Sequence, residues 1–338
     1  MITCKPHIKF EIIHELESQD DCSVPLSELC MIAGVSRSGY YRWKNAERVR
    51  NAKENQDQKD FALIKDAYQA GGYSKGAKGV HMVLLHQNPP LIMNLKKIRR
   101  LMKKYRLSCP IRQANPYKKM ARAIKESNFA DYILKRRFTE FGPRRVLLTD
   151  ITYIPFNDGC KKFAYLSTII DAFTRQVLAY KVSGSLEIDF VLETVRELMD
   201  RHGVTLSAET LINSDQGCHY TSCKFSRLLN DANLRQSMSR RGCCWDNAPQ
   251  ESFFGHMKDE IYAEPFKSFD EVKNSIDSWI PYYNKQRYQW QLAKLSPDEF
   301  YEFVSSGKYP LNISSPPHAD FYLKNLRARN SSNEEVFN

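Results

Sequence analysis

The chain of 338 residues lacks the features that direct a protein into or across a membrane. No run of about 18 consecutive apolar residues occurs, which argues against a membrane-spanning helix. Basic and polar residues interrupt the first ten positions and no apolar segment follows them, so no signal peptide is predicted. We therefore expect a soluble, intracellular protein.

CxxC pairs are also missing from the chain. The nine cysteines are an odd number and are scattered, which favours reduced thiols over a disulfide framework. Potential metal-binding side chains do occur at Cys218, His219, Cys223, Cys243, Cys244 and His256. Their spacings match no common zinc finger, and a zinc site is kept here as an alternative.

The segment from Lys96 to Lys125 contains no acidic residue at all. It holds twelve Lys and Arg, in a chain whose net charge is +11. Residues 1–149 carry a net charge of +15, whereas residues 150–338 carry −4. A concentrated positive field attracts polyanions, of which DNA is the obvious one. A basic face that is merely solvated is the alternative.

Composition separates the chain into four regions. Residues 1–60 predict helices followed by a charged polar stretch from Asn45 to Asp60, and residues 61–139 predict a basic helical linker region. Residues 140–304 show three strands followed by alternating helices and strands, which is typical of a mixed α/β sheet with helices on both faces. Residues 305–338 are rich in Ser, Asn and Pro, and we expect a poorly ordered tail.

The third region can be divided further by its periodicity. Asn157-Asp158-Gly159 marks a hairpin turn between the first two strands. The predicted strands span 146–154, 162–170, 176–182, 210–213 and 234–238. The predicted helices span 187–202, 221–230, 246–262 and 269–286.

The segment from Ser27 to Trp43 predicts two short helices joined by a tight turn. Ser27 and Ser36 are placed to cap the two helices, and Gly34 permits the turn between them. The predicted core stripe of the first helix consists of Leu29, Ile32 and Ala33, with Val35 closing it. This is the plan of a DNA-binding helix-turn-helix, although an ordinary αα-hairpin has the same pattern.

Basic side chains suited to DNA phosphates or base edges follow this turn at Arg37 and Arg42. A second basic element is predicted at 96–105, where one apolar stripe at helical spacing leaves the other faces positive. The further predicted DNA contacts are Lys96, Lys97, Arg99, Arg100, Lys103, Lys104, Arg240 and Arg241.

Asp150 is an acidic residue inside an apolar strand. Strand alternation puts it on the same face as Leu148 and Ile154. An ionised carboxylate among such neighbours is costly unless it meets a cation or several hydrogen-bond donors. The alternative is a structural aspartate held by backbone amides.

Two further acids occupy positions where binding sites form. Asp215 ends a predicted strand, at the edge where α/β sheets gather their sites, although aspartate is also common in turns. Glu251 is predicted in the first turn of a helix capped by Asp246. Lys258 lies two turns further along the same helical face, where it could bind a substrate phosphate or be solvated. Three such carboxylates suit Mg²⁺, which takes oxygen ligands.

Several ordered segments resemble the bacterial insertion-sequence transposases whose catalytic part is encoded by a second reading frame and is similar to retroviral integrase. The catalytic segments are VLLTDITYI (146–154), LINSDQGCHYTS (211–222) and SMSRRGCCWDNAPQESFFGHMKDE (237–260). The 35 residues between Asp215 and Glu251 fit the family's D-x35-E pattern. LCMIAGVSRSGYYRW (29–43) and YYNKQRYQWQLAKLSPDEF (282–300) resemble its helix-turn-helix and its closing segment.

This resemblance implies an RNase H-like fold in which Asp150, Asp215 and Glu251 bind two Mg²⁺ or Mn²⁺ ions. It implies cleavage of one strand at each transposon end by water, then attack of the freed 3′-hydroxyl on another phosphodiester. The implied partners are transposon-end and target DNA, a second copy of the chain on DNA, and the upstream reading-frame protein or a fusion with it. The implied location is the bacterial cytoplasm, at the nucleoid.

Two other functions remain open. One is a non-catalytic, sequence-specific DNA-binding protein, either a repressor or a decayed transposase. The other is a nuclease of the same fold that acts on RNA–DNA hybrids or junctions. The intact set of three acids argues against the first, and the helix-turn-helix with the basic segment argues against the second.

Overall fold

The computed structural model describes residues 5–18, 24–72, 75–109, 141–238, 248–262 and 265–316. The chain divides into two compact units, residues 1–66 and residues 67–338. Within the described ranges, no helix is both long enough and apolar enough to cross a bilayer.

The first unit contains three short helices and most of a long one. They are α1 (Pro6–Glu17), α2 (Leu26–Ile32), α3 (Arg37–Asn45) and α4 (Glu47–Gln69). Gly34 has a φ of 64° in the turn between α2 and α3, and the Ser36 hydroxyl accepts the amide hydrogen of Gly39 and caps α3. The two predicted helices and the turn between them are present, and the polar stretch that follows them is the beginning of α4.

Two details of the prediction for α2 are wrong. The helix begins after Pro25, which is its N-cap residue, so Ser27 lies inside the first turn and does not cap it. Ile32 is 74% exposed. The reason is that α1 packs against a different face of α2 from the predicted one. The residues of that face recur every three or four positions along the helix. The residues of α2 and its C-cap that face this core are Leu26, Leu29, Cys30 and Ala33.

In the second unit, α5 (Ala77–Leu85) packs against α6 (Leu95–Lys104). The Asn94 side chain accepts the amide hydrogen of Lys96 and caps α6. The predicted apolar stripe of α6 is confirmed by the burial of Ile98, Leu101 and Met102. The basic side chains of α6 therefore project away from this core.

A five-stranded mixed sheet forms the centre of the second unit. Its strands are β1 (Val146–Asn157), β2 (Lys161–Asp171), β3 (Val177–Ser183), β4 (Leu211–Ser214) and β5 (Arg235–Met238). The order is β3-β2-β1-β4-β5, with β1, β2 and β3 antiparallel and β4 and β5 parallel to β1. This is the RNase H-like α/β arrangement that was predicted, and each predicted strand is present with bounds within three residues.

Helices cover both faces of this sheet. On one face, α7 (Ile188–His202) and α8 (Cys223–Asp231) pack through a cluster that includes Leu147 and Ile169. On the other, α9 (Ala248–Ile261) and α10 (Phe269–Lys285) pack through a cluster that includes Ile154 and Leu166. A last helix, α11 (Pro297–Ser306), was not predicted, and most of the predicted tail (317–338) lies outside the described residues.

Candidate active site

Strand β1 carries Asp150 on the face that α9 and α10 cover. Asp150 lies directly opposite Thr168 of β2. Its Oδ1 accepts the amide hydrogen of Ile151 at an N–O distance of 2.8 Å. Leu148 and Ile154, on the same face of the strand, are fully buried. The predicted apolar surroundings of Asp150 are therefore present.

Asp215 follows β4, the other neighbour of β1. The two strands are parallel, with Leu148 opposite Asn213. Continuing this register brings Asp215 level with Asp150, on strands that lie about 4.8 Å apart. The exposed Asp215 accepts the amide hydrogen of Gly217 on its Oδ1 at 2.9 Å. A Cβ at Gly217 would lie 2.9 Å from that same oxygen, so this glycine leaves the space that the carboxylate occupies.

Glu251 is an exposed residue in the first turn of α9. Its neighbour Gln250 is fully buried and donates a side-chain hydrogen bond to the hydroxyl of Thr168. Because Thr168 lies opposite Asp150, this bond holds the beginning of α9 beside Asp150. Gln250 was not predicted as a site residue. Its one signal in the sequence was a polar side chain at a helix position that faces the core. The predicted cap residue, Asp246, lies outside the described residues.

The carboxyl of Asp150 is influenced electrostatically by the two other acids. Burial raises the pKa of the Asp150 carboxyl to about 7, and the Ile151 amide opposes this rise. The carboxylates of Asp215 and Glu251 raise the same pKa further, because they disfavour a third negative charge nearby. Asp215 and Glu251 thus lie within electrostatic reach of Asp150.

Lys258 is a basic residue that interacts electrostatically with Asp150. Burial lowers the pKa of its ammonium, and the Asp150 carboxylate raises it. Lys258 lies two turns beyond Glu251 on α9, so the two share one helical face. A partly desolvated ammonium near these acids can bind an anionic group that approaches them.

Tyr220 packs in the cluster on the α7 and α8 face of the sheet, near Asp150 and Asp215, and it was not predicted as a site residue. It is 2% exposed, and its hydroxyl lies 3.4 Å from the Thr149 hydroxyl. Burial raises the pKa of Tyr220 well above its usual value, and the Asp150 and Asp215 carboxylates raise it further. The phenol therefore stays protonated and neutral near the two aspartates.

No ready-made metal cluster of three His, Cys, Asp or Glu side chains occurs among the described residues. Around the alternative zinc candidates, Cys218 Sγ lies 3.6 Å from His219 Nδ1, and the other ring nitrogen of His219 is hydrogen-bonded to the Leu186 carbonyl. Cys243 and Cys244 lie outside the described residues. The three acids thus lie near one another, but among the described residues their carboxylates are not arranged as the ligands of one metal ion.

The predicted DNA contacts lie in both units. Arg37 and Arg42 are exposed on α3 in the first unit. On α6, Lys97 is partly exposed, and the exposed basic residues are Lys96, Arg99, Arg100, Lys103 and Lys104. Arg240 and Arg241 lie outside the described residues.

Two kinds of domain match the chain. The integrase core domain family matches residues 142–244, and a second integrase core domain family matches residues 232–297. An HTH-like domain matches residues 55–115, which include α5 and α6. The sequence pattern predicted residues 61–115 only as basic helices. An apolar stripe predicts that a helix forms, but it does not predict against which other helix it packs.

An uncharacterized transposase-like protein of Haemophilus influenzae is 32% identical over 208 residues, which cover 61% of this chain and 91% of that protein. The chain belongs to the bacterial insertion-sequence transposases. A putative transposase InsK for insertion sequence element IS150 of Escherichia coli is 29% identical over 82% of this chain and 93% of that protein. The insertion element IS600 31 kDa protein of Shigella sonnei is 29% identical over 81% and 97%.

The family that the motifs predicted is therefore confirmed. Among solved structures, the catalytic core domain of BIV integrase matches at 16% identity, with a TM-score of 0.38, over 49% of this chain and 99% of that one. A score this low supports no argument about the present transposase. Its RNase H-like fold rests on its own strand order and on the integrase core match.

Proposed function

We propose that this transposase cleaves one strand at each transposon end and then joins the freed 3′-hydroxyl to another phosphodiester, with Asp150, Asp215 and Glu251 as its catalytic acids. The observation that carries the proposal is that Asp215 and Glu251 lie near enough to Asp150 to raise the pKa of its carboxyl, although burial is the larger cause of that rise. The register of β1 with β4 and the hydrogen bond from Gln250 to Thr168 support the same proximity. Membership of the insertion-sequence transposases supports the same reaction.

The donor chemistry of the three acids fits divalent cations. Carboxylate oxygens are the ligands that Mg²⁺ and Mn²⁺ prefer. Mutual repulsion among the acids would be relieved by cations, and the exposed Asp215 and Glu251 can change rotamer towards Asp150. Two bound ions would stabilise the charge that develops on the attacking and leaving oxygens of a phosphodiester.

Other side chains of the chain would hold the substrate. Lys258 is proposed to bind a non-bridging oxygen of the phosphodiester at the acids. Arg37 and Arg42 on α3, together with the basic face of α6 and with Arg240 and Arg241, are proposed to bind the DNA backbone. The proposal includes a second copy of the chain on DNA, and the upstream reading-frame protein or a fusion with it.

Strand cleavage tests this proposal directly. The chain, fused to its upstream partner where needed, is incubated with transposon-end DNA and Mg²⁺, and products are resolved on denaturing gels. Wild type and the control variant Asp158→Asn, in the exposed turn between β1 and β2, should both cleave and transfer strands. Asp150→Asn should bind DNA but do neither. Equal activity in Asp150→Asn would reject the proposed site, and binding without cleavage by the wild type would leave a non-catalytic DNA-binding role.

A further inference from the structure

An aromatic cavity opens where β1 and α9 end, and we propose that it binds one unstacked nucleobase of the DNA on which the proposed transposase acts. The cavity has a volume of about 590 Å³, which lies in the range of pockets that bind small organic groups. The inference rests on the proposed function for its substrate. The wall residues that carry the argument are Pro155, Phe156, Lys161, Tyr262, Pro265 and Phe266.

Backbone pairing brings the two sides of the cavity together. The amide of Asn157 donates to the carbonyl of Phe266 at 2.9 Å, and Phe156 and Phe266 form an isolated parallel bridge. Both phenylalanines are largely buried, and the rings of Tyr262 and Phe266 lie 5.4 Å apart between their centres. Flat aromatic walls favour a flat aromatic ligand, because such rings stack on one another, and every base has a face that can stack.

The ring of Tyr262 is not fixed by a hydrogen bond from its hydroxyl. The hydroxyl oxygen is buried and has no hydrogen-bond partner among the described residues. Burial raises the pKa of Tyr262 to about 12, so the phenol keeps its proton near neutral pH. A buried polar group without a partner is unfavourable. A movement of this ring that admits a base would therefore be favoured, since the hydroxyl would then reach water or the polar edge of the base.

Lys161 gives the cavity a positive rim. It is exposed, and the described residues of the lining include no carboxylate. The ammonium of its neighbour Lys162 pairs with Asp158, whereas the Nζ of Lys161 lies 5.5 Å from the centre of the Phe163 ring. A nucleotide carries an anionic phosphate beside its base, so an aromatic cavity with an ammonium at its edge matches both parts. An apolar peptide would use the rings and leave this charge without a role.

The cavity lies on the same face of α9 as the proposed catalytic Glu251. Tyr262 follows Glu251 by eleven residues, which is just over three helical turns. The Tyr262 amide donates to the carbonyl of Lys258, so the helical geometry extends to Tyr262. Lys258 lies between the two on that face and interacts electrostatically with Asp150. An acid, a lysine and an aromatic ring thus follow one another along the line that a bound DNA strand would take.

The distance from the acids to the cavity corresponds to several nucleotides. Eleven residues of helix rise by about 16 Å. The six residues from Asp150 to Phe156, which share one face of β1, extend over about 20 Å. At roughly 3.4 Å per nucleotide along each strand, these distances span about five or six base pairs. The bound base would therefore belong to a nucleotide about five or six positions from the scissile phosphate.

The binding of mismatched DNA tests this inference. Short transposon-end duplexes, each with one mismatched pair at successive positions along the first turn of the DNA, are titrated with protein in the absence of divalent metal. A mismatched base costs less to unstack, so a mismatch about five or six pairs from the scissile phosphate should tighten binding to wild type by about fivefold or more. Tyr262→Ala should lose this gain, and Tyr262→Phe, which keeps the ring, should retain most of it.

Two matched controls come from the same hairpin. Tyr153→Ala removes an exposed tyrosine from the opposite face of β1 and should keep the gain. Lys161→Gln should reduce the gain, whereas Lys162→Gln should not, because Lys162 is absent from the lining. Lys161 is exposed, so Lys161→Gln should fold and can carry the test alone if Tyr262→Ala does not fold.

The outcomes separate this inference from the proposed reaction. The absence of a gain at every mismatch position in the wild type would overturn the cavity, even if the chain cleaves DNA. An equal gain in a folded Tyr262→Ala, with thermal unfolding as the check, would also overturn it, because the mismatch would then act through DNA flexibility alone. A gain that depends on Tyr262, in a chain that never cleaves, would support the cavity and reject the reaction.

Discussion

The buried side chain of Gln250 donates a hydrogen bond to the hydroxyl of Thr168. Thr168 is the cross-strand neighbour of Asp150, and Gln250 immediately precedes Glu251. One hydrogen bond thus joins β2, the strand paired with the Asp150 segment of β1, to the helix that carries Glu251. Gln250 is a positioning residue in this account, since it acts through Glu251.

Replacing Gln250 with Met should lower activity by more than its small cost in stability explains. An apolar side chain of similar size removes the buried Oε1 atom of Gln250, which has no hydrogen-bond partner in the described part of the chain, but it also takes the hydrogen-bond donor away from the buried Thr168 hydroxyl. The two effects oppose each other, so the melting temperature should fall only slightly. In contrast, the rate constant for cleavage should fall by roughly tenfold or more, and the Mg²⁺ concentration needed should rise.

The partner residue offers a check on this role. Thr168→Val breaks the same hydrogen bond from the other side, so its effect and that of Gln250→Met should not add in the double variant. Additive losses, or an unchanged Mg²⁺ requirement in both single variants, would mean that the bond does not position Glu251.

Gly217 should be sensitive to a single methyl group. A Cβ there would lie 2.9 Å from Asp215 Oδ1, so Gly217→Ala should displace the carboxylate and reduce cleavage while the fold persists. Gly184→Ala is the matched control, because its Cβ would meet the Phe269 ring at an ordinary 3.8 Å. Cleavage rates and melting temperatures of both variants check this. Equal cleavage rates in the two would show that the position of Asp215 is not critical.

Asp150 should make the metal-free fold pH-dependent. Its pKa is about 7 in the fold, against about 3.9 in an unfolded chain, so its contribution to stability is complete below pH 4 and is lost as the pH rises through 7. Asp150→Asn cannot ionise, so in EDTA it should be more stable than wild type at pH 8, by at most about 4 kcal/mol at roughly 1.4 kcal/mol per pKa unit. Near pH 5 the difference should be much smaller. A difference independent of pH, measured by denaturant unfolding, would contradict this.

Much of the catalytic region could be predicted because its signals are local. The Asn157-Asp158-Gly159 turn and the alternation along β1 set the hairpin, and the predicted bounds differ from the observed ones by three residues or fewer. Ser36 caps α3 as predicted, because an N-cap acts on its own first turn.

What could not be predicted depends on partners distant in the chain. The role of Gln250 requires Thr168, which is 82 residues away. Ile32 was assigned to the core by its spacing, but the packing of α1 decides which face of α2 is buried. For α11, the capping box of Ser296 and Glu299 was a local signal from which the helix could have been predicted.

The basic face of α6 should contribute to DNA binding through its charge. Replacing Lys96, Arg99 and Lys103 with Gln should weaken binding to all sequences and reduce the salt slope by about 0.9 for each phosphate that is no longer neutralised. Exchanging Lys and Arg at these positions keeps the charge and should leave the slope nearly unchanged. Titrations of a short duplex at several salt concentrations measure it, and an unchanged slope in the Gln variant would mean that this face is only solvated.

The binding of Mn²⁺ to the chain on transposon-end DNA tests the central claim most directly. Isothermal titration or the paramagnetic signal of free Mn²⁺ gives the number of ions bound by the wild type and by Asp150→Asn, with Asp158→Asn as the control. We expect two ions in the wild type and in the control, and the loss of at least one in Asp150→Asn. The same number and affinity of ions in all three proteins would contradict the proposed metal site.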